Sequence, residues 1–285
     1  MKVLRKLISQ DHSEKYLMEL EDGNTIETLY MFDEKHQLTF HNTVCVSSQV
    51  GCGMGCRFCA TGKQGFTRNL SMKEIIGQVD VCNSTREKAR TVPIDAVVFA
   101  GMGEPLLNYE QVKAAILVMR SRLGISHFEL ATVGIVPKIY ELIKDFQGTD
   151  ISIRLNISLH ASSDDQRSLI IPMTERYSIY KIIQAATDYA KAFGVKVRIR
   201  YMLFRDFNGK AEDIRRLTDL LKGKPVKLII SQYNENNIQG LIPSGRLEVL
   251  EFYNTISATI DSEIFHNFGS DIQGGCGQLK QTMVV

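Results

Sequence analysis

The chain has 285 residues, of which 44% are hydrophobic and 23% charged. That balance suits one large α/β domain with a substantial core and excludes a disordered or fibrous chain. The net charge of +2 permits a nucleic-acid partner without arguing for one. No apolar run approaches the roughly 18 residues that a membrane span needs. The opening MKVLRKLISQDHSEKYL also lacks the apolar run and small-residue site of a secretory leader. The expectation is a cytoplasmic protein with no membrane partner. Thiols stay reduced there, so the six cysteines read as ligands or catalysts before disulfides.

In chain order, Lys2–Ile8, Lys15–Glu21 and Thr25–Tyr30 are strand candidates, with Glu21-Asp22-Gly23-Asn24 as a turn signal. Glu27 lies in the third and, by pattern alone, is an exposed strand carboxylate. Residues 1–42 are thus expected to form a small β-rich extension, and 43–285 the main body.

From there strands and helices alternate. Thr43–Ser48 is a β-branched strand, and Ser71–Glu87 is a helix capped by Ser71. Ile75, Ile76, Val79 and Cys82 share one face of it, which makes Cys82 a core residue. Ala96–Ala100, Phe128–Val133, Ile151–Leu159, Val195–Leu203 and Val226–Ser231 follow as strands, with a last short one over Glu263–Phe265. The helices between them are Asn108–Arg122, Pro137–Asp145, Ser178–Phe193, Gly209–Leu221 and Ser244–Ile260. Such alternation predicts a parallel sheet with right-handed crossovers. About six units are present, fewer than the eight of a closed barrel, so a partial, laterally open (β/α)6 barrel is expected.

In parallel α/β folds the working residues gather beyond the C-terminal ends of the strands. The chemically interesting positions obey this. Cys52-Gly-Met-Gly-Cys56-Arg-Phe-Cys59 follows the first strand, Gly103-Glu104 the second, Ser158-Leu159-His160 ends the fourth, and Asn234 follows the sixth. Three thiols at a spacing of three and then two, among Gly51, Gly53 and Gly55, can be aimed inward by one tight loop. A zinc site normally closes with four ligands, and no partner pair stands nearby. A 4Fe–4S cluster on three cysteines keeps one iron free. With Phe58 before the last cysteine, this is the spacing by which radical S-adenosylmethionine (SAM) enzymes hold their cluster. The free iron there takes the amino and carboxylate groups of SAM. Glu104 could accept from the SAM ammonium. Ser158, His160 and Asn234 could meet the ribose, adenine and sulfonium. Alone, His160 is a strand-end histidine with a backbone partner. Cys45 and Cys276 remain. Cys276 lies among Gly274, Gly275 and Gly277, with little core to join, and a mobile thiol beside SAM can accept a methyl group.

Five segments together carry a resemblance: Val44-Cys-Val-Ser-Ser-Gln-Val-Gly-Cys52, Gly65-Phe-Thr-Arg-Asn-Leu-Ser71, Gly101-Met-Gly-Glu-Pro-Leu-Leu-Asn108, Ser158-Leu-His-Ala161 and Cys276-Gly-Gln-Leu279. From about Glu27 to Leu279 the chain resembles the RlmN/Cfr family of radical SAM RNA methyl synthases. The resemblance implies methylation of an sp2 carbon of adenine in ribosomal RNA, and in some members transfer RNA, with two SAM per turnover. Cys276 would take a methyl from one SAM. The cluster on Cys52, Cys56 and Cys59 would split the second into methionine and a 5′-deoxyadenosyl radical, which activates the methyl on Cys276. Cys45 would release the product by forming a disulfide with Cys276. Glu27 matches the proposed proton acceptor, and Gly103, Glu104, Ser158, Leu159, His160 and Asn234 match the SAM contacts. A reductant such as flavodoxin or ferredoxin is implied. The electron-poor ring carbon explains why a radical is needed.

The pattern departs from the family where RNA is gripped. Members usually carry an N-terminal helical domain, whereas only about 42 residues precede the first barrel strand here. Phe265-His-Asn-Phe268 stands where arginines and lysines are expected. Tyr233-Asn-Glu-Asn236 replaces a Trp-Asn-Pro region, and Ala131-Thr-Val-Gly134 a serine-rich SAM contact. Phosphate binding needs cations. Lys63, Arg68, Arg57 and Lys73 either compensate or are merely solvated. Two other readings therefore stand beside the RNA methyl synthase: the same chemistry on a small nucleotide or heterocycle, and a metal-stabilised RNA-binding module without catalysis.

Overall fold

The computed structural model describes residues 1–32, 42–86, 93–172, 176–234, 240–265 and 267–280. Strands β1 (Lys2–Ile8), β2 (Glu14–Glu19) and β3 (Thr25–Phe32) form antiparallel hairpins. β3 then pairs antiparallel with β4 (Asn42–Cys45), setting Leu29 opposite Cys45. A separate two-stranded hairpin, β5 (Gln49–Gly51) and β6 (Phe66–Asn69), brackets the cysteine loop and a short helix α1 (Ala60–Lys63). The sequence reading placed no strand at β5 or β6, because three or four residues are too few for an alternation to register.

The chain continues through α2 (Met72–Thr85), β7 (Ala96–Phe99), α3 (Tyr109–Leu123), β8 (His127–Thr132), α4 (Val136–Phe146) and β9 (Ser152–Ser158). It goes on through α5 (Asp164–Ser168), α6 (Ile179–Phe193), β10 (Val197–Leu203), α7 (Ala211–Leu221), β11 (Val226–Gln232), α8 (Arg246–Ser257) and β12 (Ser262–Ile264). The strand order is β1-β2-β3-β4-β7-β8-β9-β10-β11-β12 in one sheet, parallel from β4 to β12. Six crossover helices join these strands, which is the partial, laterally open barrel expected. The sheet stays open because its outermost strands are β1 and β12. The N-terminal hairpins continue the barrel wall through the β3–β4 ladder.

The barrel strands alternate with period two, and the alternation separates two environments. Phe128 and Leu130, then Ile153, Leu155 and Ile157, then Val197, Ile199 and Tyr201 point outward into the apolar core shared with the helices. Between them, Glu129, Asn156, Ser158, Arg198 and Arg200 point inward and line a cavity. Helix α2 shows how the outer layer is pinned. Ser71 accepts from the Glu74 N–H and Glu74 returns the bond, a capping box. Ile75, Ile76, Val79 and Cys82 are buried, so Cys82 is a core residue as expected.

After β7 the chain turns at Gly101. A Cβ there would lie 2.7 Å from the Val46 carbonyl oxygen and 2.8 Å from the Ser47 nitrogen. Neither backbone atom can withdraw without breaking the β4–β5 connection. Gly101→Ala is therefore expected to destabilise the fold by about 1–3 kcal/mol, read as a lower denaturant midpoint. An unchanged midpoint would show that the two segments slide apart freely.

Candidate active site

The cysteine loop is built by a crossing of two glycines. Cys52 N–H donates to the Gly65 carbonyl at 2.7 Å, and any Cβ on Gly51 would sit 2.0 Å from that same oxygen. Gly51 and Gly55 have positive φ; Gly53 does not. A second small apolar cluster supports the loop, where Cys52, Met54, Cys56 and Phe58 pack with Ile170, Ile171, Met202, Phe204 and Tyr233. Phe58 meets the His160 ring edge-on at 4.9 Å.

Cys52, Cys56 and Cys59 carry free thiols. Burial, chiefly, raises all three pKa values, with neighbouring thiols adding to it, and Cys52 is pushed up to about 12. The donor set fits a 4Fe–4S cluster: three soft sulfurs in a largely apolar shell. Among the described residues no three His, Cys, Asp or Glu side chains converge as ligands to a single ion would.

Beneath the loop lies a cavity of about 220 Å³. Cys45, Cys59, Ser158, His160 and Cys276 all line it. Cys45 and Cys276 are both free thiols, and all six cysteines are unpaired. Burial, chiefly, pushes the Cys45 thiol up to about 12, and Cys276 adds to it. The Arg200 guanidinium donates to Cys276 Sγ at 3.8 Å and lies 3.8 Å from the centre of the Phe265 ring.

The cofactor-contact candidates divide. His160 has positive φ and accepts the Met202 N–H at Nδ1, 3.0 Å away. Its proton therefore sits on Nε2. Burial first, then Arg167 and Arg200, push its pKa down to about 3, so it is neutral at ordinary pH. The backbone partner expected of a strand-end histidine is thus present on Nδ1. Glu104 is buried. Its carboxylate accepts from Leu106 N–H at 3.1 Å and Val133 N–H at 2.9 Å, and burial raises its pKa to about 7. Gly103 does have positive φ, but the space a side chain would need is filled by Gln49 at 2.6 Å. Leu159 is fully buried and is absent from the cavity wall. Its carbonyl accepts from Arg167 at 3.1 Å.

Asn234 and Glu27 are found on the tail rather than on the cavity wall. Asn234 Nδ2 donates to the Cys276 carbonyl and to Asn267 Oδ1, each at 3.3 Å, and Asn267 returns a bond at 2.9 Å. Glu27, read from pattern as exposed, is fully buried. It lies 3.5 Å from the Lys15 ammonium and accepts the Lys280 N–H at 2.9 Å. Desolvation, chiefly, raises its pKa. Exposure was the wrong expectation because the C-terminal tail folds over β3, and strand pattern cannot foresee a cover that distant in sequence. The tail is held elsewhere too. Gly269 N–H donates to Asp11 at 2.7 Å, Lys15 donates to the Gln273 carbonyl at 3.2 Å, Thr61 to the Leu279 carbonyl at 2.6 Å, and Ala60 N–H to the Gly277 carbonyl at 2.8 Å.

Sequence reasoning missed Arg167 and Arg200. Arg167 is buried and clamps the carbonyls of Val133, Ser158 and Leu159 at 2.5, 3.1 and 3.1 Å. A lone arginine after a strand carries no signal, whereas Arg200, between outward Ile199 and Tyr201, could have been flagged by alternation. Of the surface cations, Arg68 is taken by Asp22 at 2.7 Å and Glu74 at 2.8 Å. Arg57, Lys63 and Lys73 are exposed. Residues 235–236 and His266, within two of the departing segments, lie outside the described residues.

Comparison with known proteins agrees with this geometry. The Radical SAM superfamily profile matches residues 46–221. The chain is 40% identical over 284 residues to a probable dual-specificity RNA methyltransferase RlmN of Dictyoglomus turgidum, covering 98% of this chain and 78% of that protein. It is 38% identical to dual-specificity RNA methyltransferase RlmN 2 of Myxococcus xanthus, covering 96% and 72%. A crystal structure of a radical SAM methyltransferase from Sphaerobacter thermophilus superposes with a TM-score of 0.90 at 31% identity, covering 99% of this chain and 81% of that one. The chain belongs to the radical SAM superfamily and, within it, to the RlmN family of RNA methyltransferases.

Proposed function

We propose that this chain methylates an sp2 carbon of adenine in RNA, carrying the transferred carbon on Cys276. The observation that carries the reading is the meeting of Cys45, Cys59 and Cys276 on one cavity, with Cys45 and Cys276 unjoined. An RNA-binding module that used three cysteines only to hold a metal would have no employment for the other two. RNA, rather than a free nucleotide, is favoured by the names of the relatives. Cytoplasmic location and a flavodoxin- or ferredoxin-like reductant belong to the same proposal; among the described residues no helix is long and apolar enough to cross a membrane.

Cys52, Cys56 and Cys59 would hold the 4Fe–4S cluster. When bound, cluster and SAM supply one-electron cleavage of a sulfonium. This chain's own residues orient and shield. Glu104 offers a desolvated carboxylate to an ammonium, His160 Nε2–H donates into the cavity, and Ser158 adds a hydroxyl beside it. Gly103 and Leu159 shape these contacts through the backbone, and Asn234 steadies the tail. Cys45 faces Cys276 as the thiol that resolves it. Glu27, the family's proton-acceptor position, also anchors the tail through the Lys280 N–H.

Three outcomes test this. Cys276→Ala should abolish methylated RNA while the reduced, reconstituted protein still cleaves SAM. Loss of both, in a folded protein with its cluster, would sink the carrier role. Cofactor affinity should depend on Glu104. A carboxyl with its pKa raised to about 7 is charged above that pH and neutral below it. Calorimetry with S-adenosylhomocysteine should therefore show affinity falling about tenfold from pH 8 to pH 6, and Glu104→Gln should flatten the profile. Glu27→Ala leaves Lys15 buried without its counter-charge, so it should destabilise the fold by about 3–5 kcal/mol. It should also speed iodoacetamide alkylation of Cys276, whereas a proton acceptor with no anchoring role would leave that rate unchanged.

A further inference from the structure

At the cavity floor one acceptor has no donor. Asn156 lies on β9 opposite Arg198 of β10 and is 4% exposed. Its Nδ2 donates to Glu129 Oε2 at 3.2 Å and to the Arg154 carbonyl at 3.3 Å. Both partners only accept, so the amide nitrogen must face them and Oδ1 must face away. Oδ1 is buried with no hydrogen-bond partner. A buried orphan acceptor is costly and rare, and this one belongs to a residue that lines the cavity.

The surroundings narrow the ligand. Glu129 is already matched by Arg154 at 2.8 Å and Arg198 at 3.8 Å, so the floor does not call for another cation. It offers one open acceptor, the Asn156 amide oxygen, turned away from the Glu129 carboxylate that its own amide nitrogen meets, which suits a neutral N–H donor. Arg200, on the same inward face of β10, connects this floor to the Cys276 sulfur.

We infer that Asn156 Oδ1, beside Glu129, is the subsite for the exocyclic amine of an adenine. The choice of adenine among amine-bearing heterocycles rests on the function proposed above. That amine has two sources, the target base and the adenosine of the cofactor, and each has its own arm in the test.

In the first arm, a short oligouridine with a central adenosine, or purine riboside or inosine in its place, is titrated by fluorescence anisotropy into the full chain. In the second, calorimetry compares S-adenosylhomocysteine with its inosine counterpart. Both are repeated on Asn156→Ala and Asn156→Ser, with melting curves to establish folding. The native chain should prefer the amine-bearing ligand by about tenfold in one arm, and either folded variant should bring that ratio close to one. Loss in the oligonucleotide arm assigns the amine to the target base, and loss in the homocysteine arm assigns it to the cofactor. No preference in either arm, or a preference that survives both substitutions, overturns the subsite. SAM cleavage and RNA methylation are scored separately. A chain that methylates RNA without this preference keeps the function and loses the subsite, whereas one that discriminates but never cleaves SAM keeps the subsite and loses the reaction.

Discussion

The Gly277 carbonyl accepts the Ala60 N–H at 2.8 Å, tying the tail to the cysteine loop, and the site depends on that tail lying where it does. A glycine-rich segment has almost no side chain to bury and loses more conformational freedom on ordering than any other. Its position must therefore come from polar contacts made at both ends. They come from parts of the chain far apart in sequence: Asp11, Lys15 and Glu27 in the N-terminal hairpins, Ala60 and Thr61 in the loop, and Asn234 after β11. The neutral contacts are worth about 0.5–1.5 kcal/mol net and those of Asp11, Lys15 and Glu27 about 1.5–3 kcal/mol, so Cys276 is fixed by several together. The first and last segments of the chain are thus energetic partners, and the β-rich entry is part of what aims the thiol.

Desolvation is the second shared cause. It raises Glu104, Glu27 and Cys45 and lowers His160 and Lys15. In each case burial makes the charged form expensive, so each group's state answers to what is brought beside it. His160 is held neutral with its proton on Nε2. Dipoles fixed before a ligand arrives need no reorganisation when it does.

The barrel was legible because strand and helix patterns alternate along the chain from β4 onward, one crossover helix to each parallel strand. The three-cysteine loop was legible because its spacing is short and its glycines are required. Two features were not. Glu27 looked exposed because its cover arrives about 250 residues later. Asn234 looked like a cofactor contact because strand-end position predicts the cavity, yet its amide turns toward the Cys276 carbonyl. At Gly101 and Gly103 the crowding that requires glycine comes from Val46, Ser47 and Gln49. Local pattern reports which face a residue occupies; it does not report which distant segment comes to rest there.

Phe265 shows how a departure from family pattern can be misjudged from charge alone. An aromatic ring where a base was expected removes a cation from the surface and, by counterion reasoning, weakens a phosphate contact. In the fold that ring stacks on the Arg200 guanidinium, a contact worth more where it is desolvated than at the surface. It braces a cation inside the cavity, in reach of the Cys276 sulfur. The residue that withholds a cation from the surface thereby braces one on the cavity wall.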